Sequence, residues 1–147
     1  MSYADVSFAV SYFGTRLHTS PWDNADNGDR VKALTMATRD IDRLDFAGSK
    51  AVSTQENEFP RGQQSEVPED IKIACCEIAL ALLDGVDPDQ ELDAIRMRSN
   101  NFVSVKTVYD TGSVPDHILS RIASATAWAY LRPYLREPRN VRLSRVS

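Results

Sequence analysis

"PEDIKIACCEIALALL", residues Pro68 to Leu83, is the segment on which the fold turns. Ile71, Ala74, Cys75, Ile78, Ala79, Leu82 and Leu83 recur at steps of three and four, the spacing of one helical face. Ile73, Cys76 and Leu80 add a second apolar stripe to the same segment. A helix that is apolar on two sides must be covered on two sides, either at the centre of its own domain or between subunits. Pro68 fits the first helical position, Glu69 and Asp70 complement the dipole there, and Gly85 offers a stop. A helix over 68–83 is therefore the element around which the others are arranged.

Working outward, Val31, Leu34, Thr38, Ile41 and Leu44 form one stripe and predict a helix over 27–44, with Asp26 and Asp29 in its N-terminal turn and Phe46 and Gly48 at its exit. A short, very apolar helix is predicted over 3–16. The stretch "HTSPWDNADNGD" then breaks it with turn chemistry, and Trp22, too large to leave in water, plugs an end of the core. "DPDQELDAIRM" predicts a short helical turn. "NFVSVKTVYDTG" changes period and is rich in β-formers, which predicts a strand or small hairpin. "SVPDHILSRIASATAWAYL" predicts one last helix, with Ile118, Ile122, Ala125, Thr126 and Ala129 as its stripe and Pro133 at its end. The expected fold is mainly α: a bundle of about four to five helices over 1–135, with a short β element and an extended basic tail over 136–147.

Between the two best helices lies a long connection, and inside it "QENEFPRG", Gln55 to Gly62. Long loops without a task are uncommon. Phe59 can anchor this one by burying its ring, Pro60 fixes the backbone direction, and Arg61 can then reach a carboxylate or carbonyl in its own subunit or the next. Trp22, Phe59, Pro60 and Arg61 are thus a candidate latch, structural or intersubunit.

The 147 residues suit one domain, and 42% hydrophobic residues permit a modest core. Charge is divided unevenly. From Arg132 to Ser147 five arginines face one glutamate, a net +4; the whole chain is −4, so the first 131 residues carry −8. An acidic body with a basic tail implies that the tail has a partner of its own. No apolar run approaches a membrane span, and the N-terminus lacks the basic-then-apolar order of a secretory signal, which points to the cytoplasm.

Catalytic chemistry does not assemble. The chain has two histidines, His18 in a turn-rich loop and His117 in a first helical turn, and neither belongs to a nucleophile motif. Cys75 and Cys76 are adjacent, so they cannot form an ordinary disulfide, and they lack CxxC spacing; they read as small buried apolar residues. "DNADNGDR" fails as a calcium loop in either frame, because Ala25 or Asp29 falls where a ligand or a glycine is required. Asp42 and Asp45 lie beside Arg39 and Arg43 and read as a solvated face. No phosphate-binding glycine pattern occurs. The expectation is a protein that is not an enzyme, with no cofactor and no metal. A single-strand binder combines a basic groove with stacking aromatics. Here only the tail has the charge, and Trp128 and Tyr130 read as core.

Trp22, the run Ala33 to Asp42 ("ALTMATRDID"), Gly48-Ser49-Lys50, Gln55 and Phe59-Pro60-Arg61 occur in an order and spacing that resembles the tailed-bacteriophage head–tail connector (adaptor, or head completion) proteins. Sequences of this kind are often labelled DnaT-like single-stranded DNA-binding proteins. The resemblance covers Tyr3 to Leu135. It implies a mainly helical subunit without catalytic residues, assembled as a homo-oligomeric ring, commonly a dodecamer, under the portal protein at the neck of the virion. Such a ring would extend the channel for genomic double-stranded DNA and dock the next neck or tail protein, with the C-terminal segment reaching the portal. Charge and exposure then mark Arg136, Arg139, Val141, Arg142, Leu143, Arg145 and Val146 as candidate portal-binding residues, and the second apolar stripe marks Ile73, Cys76 and Leu80 as candidates for subunit packing. The alternative expectation is a DnaT-like single-stranded DNA-binding protein of phage replication.

Overall fold

The computed structural model describes residues 1–102 and 114–137. Seven α-helices occur among them: α1 (Val6–Phe13), α2 (Ser20–Asp23), α3 (Asn27–Asp42), α4 (Glu69–Leu83), α5 (Pro88–Phe102), α6 (Asp116–Leu119) and α7 (Ala125–Leu131), followed by a 3-10 turn over Arg132–Tyr134. The fold is mainly α. No strand occurs among the described residues; two isolated antiparallel bridges do, Phe46 with Leu135 and Lys50 with Arg61. Of the β element predicted over 101–112, Asn101 and Phe102 instead close α5, and the remaining residues lie outside the described ones.

Helix α4 is the centre. Ile71, Ala74, Cys75, Cys76, Ile78 and Ala79 are fully buried and Leu80 nearly so, with α3 packed on one side, α7 on the other, and α1 and α2 against it as well. The second stripe is covered within the subunit at Cys76 and Leu80, while Ile73 is half-buried. Pro68 is the residue before the helix rather than its first; its carbonyl accepts from Ile71 and Lys72 at 3.1 and 3.3 Å. The helix ends at Gly85, whose φ of 82° is open to glycine at no steric cost, while Val86 N–H returns to Ala81 O at 3.0 Å and closes the last turn.

Three boundaries depart from the sequence reading for identifiable reasons. Helix α1 starts late because Asp5 caps it, accepting from Phe8 N–H at 2.7 Å; Tyr3 and Ala4 precede it as buried, non-helical residues, and Tyr3 N–H donates to Thr38 Oγ1 at 3.0 Å. The predicted turn near 87–97 is a full helix, α5, whose first turn carries Pro88, Asp89 and Glu91. The last predicted helix is two. Arg121 adopts φ 60°, and Ser124 restarts the helix by accepting from Ala127 N–H at 3.1 Å. Serine's readiness to cap rather than continue a helix resets the register. Ile118, Ile122, Ala127 and Leu131 are therefore the buried residues, while Ala125, Thr126 and Ala129 face solvent.

Trp22 lies on the four-residue α2 rather than in a loop. It is 2% exposed, tilted against Phe13 at 4.9 Å, with the Arg30 guanidinium over its ring at 4.9 Å.

Coverage of α4 by its own subunit has a measurable consequence. Ile78→Ala should cost about 2–5 kcal/mol of unfolding free energy, and Ile73→Ala, at a half-covered position, roughly half as much, read from urea midpoints. Equal costs would mean that Ile73 is covered in solution by something other than this subunit.

Candidate functional site: the latch and the root of the C-terminal arm

Phe59 is 3% exposed, and three rings meet it edge-on: Phe46 at 4.7 Å, Tyr134 at 5.7 Å and Tyr3 at 6.0 Å. The Phe59–Pro60 peptide is cis. Behind it Arg61 is 9% exposed and uses its whole fork within its own chain. Nε donates to Ala47 O at 3.0 Å, Nη2 to Gly48 O at 2.7 Å and Phe46 O at 3.3 Å, and Nη1 to the Glu58 carboxylate at 2.6 Å and Glu58 O at 3.3 Å. Three consecutive carbonyls of the loop thus converge on one planar cation, an arrangement that suits arginine and not lysine. All of these Arg61 contacts lie within its own chain.

The rest of the loop is tied to the same point. Gln55 accepts from Val52 N–H at 3.1 Å and donates to Asn57 O and Pro60 O, both at 2.8 Å. Gly62 N–H reaches Ser49 O at 2.9 Å, and Ala51 N–H reaches Pro60 O at 3.0 Å. Asp42, at the end of α3, receives the Tyr3 hydroxyl and Glu58 N–H, and Phe59 N–H donates to the Tyr3 oxygen at 3.1 Å.

The latch holds the start of the basic segment. Tyr134 packs on Phe59 and donates its hydroxyl to Asp70 Oδ2 at 3.0 Å. Ala47 N–H donates to Tyr134 O at 3.0 Å, Leu135 bridges to Phe46, and Arg136 N–H donates to Asp45 O at 3.0 Å. Residues 134–136 are therefore paired against 45–47, a stretch that overlaps the three carbonyls, Phe46 to Gly48, that Arg61 gathers. Arg132 and Arg136 are exposed at this root. Of the candidate portal-binding residues, Arg136 is placed here; Arg139, Val141, Arg142, Leu143, Arg145 and Val146 lie outside the described residues.

A second polar constellation escaped the sequence reading. Glu77 is 2% exposed in mid-α4 and accepts from Arg16 Nε at 2.6 Å, Arg16 Nη2 at 3.0 Å and Tyr12 Oη at 2.5 Å. Its signal was available: one acid inside "ACCEIALALL" has to find a cation. Burial, and then the neighbouring carboxylates, raise the phenols of Tyr3 (Asp42), Tyr12 (Glu77) and Tyr134 (Asp70) above their ordinary value. Burial likewise raises the Asp42 carboxyl and the thiols of Cys75 and Cys76. His18 and His117 belong to separate elements, and among the described residues no group of three or more His, Cys, Asp or Glu side chains converges to hold a metal ion.

A family model described as "Putative DnaT-like ssDNA binding protein" matches residues 1–146. The chain belongs to this DnaT-like family. No curated protein and no solved structure matches it. The match spans body and basic segment together, so the DnaT-like unit includes the latch and the arm that it roots.

Two outcomes test this geometry. Arg61→Met should cost about 3–5 kcal/mol, because it leaves Glu58 without its cation and three carbonyls without donors, and Arg61→Lys should recover only part of it. Amide exchange at Ala47 and Arg136 should quicken in both variants. The phenols give a pH dependence. Unfolded tyrosines release protons near pH 10.0, whereas these three hold theirs in the folded state, so stability is complete below that value and falls as pH rises above it. Urea unfolding across the alkaline range should show that decline, and a shallower one for Tyr3→Phe.

Proposed function

We propose that this DnaT-like protein binds single-stranded DNA through its basic C-terminal arm, with the helical body as the mount that sets where the arm begins. What carries the reading is the family match over the whole length, joined to a charge division that leaves +4 on the last 16 residues and −8 on the rest. Phosphates are repelled by the body and attracted by the arm, so contact is confined to residues from Arg132 onward. Beyond Tyr134, whose ring is occupied by Phe59, the arm has no aromatic side chain on which a base could stack. Binding is therefore backbone-directed, sequence-tolerant and salt-sensitive, and it is binding rather than catalysis, without cofactor or metal.

A second reading has its own supporting observation. The acidic body gives little grip on DNA, and together with the resemblance in "ALTMATRDID" and Phe59-Pro60-Arg61 it favours a head–tail connector. In that reading copies of the chain form a ring beneath the portal protein, at the virion neck, after assembly in the host cytoplasm. The arm docks on the portal, another face meets the next neck or tail protein, and genomic double-stranded DNA passes through without being held.

A salt titration separates them. With a labelled oligo(dT), the full chain should bind at low salt with a log–log slope no steeper than about −3.5, the limit for five arginines on a single strand, and Arg139, Arg142 and Arg145→Ser together should remove most of the affinity. No binding at low salt would overturn the first reading. Co-sedimentation with portal rings, abolished by the same substitutions, would then establish the second.

A further inference from the structure

Along the outer face of α3 runs an open cleft of about 600 Å³, closed on its far side by the end of α4, the α4–α5 turn and Arg121. Its floor is apolar: Met36, Leu82, Leu83 and Val86. Met36 is 48% exposed there, a large apolar side chain with nothing over it among the described residues. Carboxylates stand at both ends, Asp40 with Asp89 near it at one and Asp29 at the other. Each has a cation nearby, but those pairs are long and exposed: Arg43 to Asp40 at 3.5 Å, Lys32 to Asp29 at 3.9 Å and Arg121 to Asp89 at 3.3 Å, with all three cations more than 60% exposed. Pairs of that kind exchange partners readily.

The C-terminal arm carries the complementary pattern. In an extended segment alternate residues share a face, so Arg139, Val141, Leu143 and Arg145 fall together: two apolar side chains flanked by two arginines. From Arg139 to Arg145 such a segment spans about 20 Å. From Asp40 to Asp29 the helix rises about 16 Å, and arginine side chains cover the difference. The starting point also matches. Arg136 is hydrogen-bonded to Asp45, two residues beyond Arg43 at the Asp40 end of the cleft, and the three residues to Arg139 bridge about 10 Å.

We propose that residues 139–145 fold back into this cleft in their own subunit, antiparallel to α3. Val141 and Leu143 cover Met36 and the Leu82–Leu83 ledge, Arg139 meets Asp40 and Asp89, and Arg145 meets Asp29. The docked arm has its arginines committed, so an anionic partner must displace it. That consequence rests on the arm being the DNA contact; the docking itself does not.

The test is disulfide trapping in the full chain under mild oxidation at low micromolar concentration. Cys75 and Cys76 are fully buried and do not compete. Met36→Cys with Leu143→Cys should close within one molecule much faster than Val10→Cys with Leu143→Cys, where Val10 is an exposed residue of α1 outside the cleft. Equal rates, or closure only between copies in a mixture of isotopically distinct chains, would overturn docking in the same subunit. The Met36–Leu143 disulfide should then weaken oligo(dT) binding on the order of tenfold, and Met36→Glu should strengthen it, because the apparent affinity follows the fraction of free arm. Trapping without any change in affinity would overturn the masking and leave the docking. A chain that traps as expected but never binds oligo(dT) would sink the DNA reading alone.

Discussion

Arg61 is the constraint on which the loop, and through it the arm, depends. A connection from Arg43 to Pro68 has no helix of its own to satisfy its backbone, and the carbonyls of Phe46, Ala47 and Gly48 turn inward beside the aromatic cluster. Carbonyls facing apolar rings without donors are expensive. One guanidinium supplies all three and is itself neutralised by Glu58 at 2.6 Å. Phe59 adds the apolar half, so the loop is fixed by a charge on one side and a ring on the other. The short pairing of 45–47 with 134–136 is downstream of both, since its template exists only while those carbonyls are held.

Glu77 and Arg16 play a comparable part at another place on α4. A carboxylate with 2% exposure in the central helix costs stability unless its oxygens are filled, and here a bidentate arginine and a tyrosine fill them. Apolar residues in place of the whole pair would fill the same space with no buried charge to offset. What the ion pair adds is position: it ties the segment after α1 to one point along α4, which a smooth apolar contact does not do. Removing either partner alone leaves the other charge stranded, so the pair behaves as a unit.

The central elements were legible because their signals are dense and local. Helix α4 announces itself by two apolar stripes, and α3 by one stripe with an aspartate cap. Phe59 and Arg61 stood out because a bulky ring and a cation sat in a polar loop, although whose carbonyls Arg61 would meet depends on a chain reversal that no spacing encodes. Where reading failed, a short-range hydrogen bond had beaten periodicity. Ser124 capped a new helix inside a segment whose apolar residues could be threaded on one continuous stripe, and that single cap moved burial from Ala125 and Ala129 to Ala127 and Leu131. Glu77 is the opposite case: it is the one charged residue from Ala74 to Leu83, and apolar periodicity says nothing of where its cation comes from.

The directions of α3 and α4 set which side chains meet at each end of the body. Helices α3 and α4 pack against each other with the loop joining the end of one to the start of the other. The loop, the latch and the root of the arm therefore share one region, with Asp70 in the first turn of α4 receiving Tyr134. Asp29 in the first turn of α3 and Asp84 after the last turn of α4 line a common hollow away from that region. Asp29 is favoured there by the positive end of its helix dipole, whereas Asp84 sits at the negative end of its own and gains nothing from it. Acidic residues at that end are thus not explained by helix stability alone. The root of the arm carries carboxylates too, but Asp42, Glu58 and Asp70 there are committed to Tyr3, Arg61 and Tyr134 within the subunit, so the two ends of the body differ in how their acids are engaged rather than in whether they carry them.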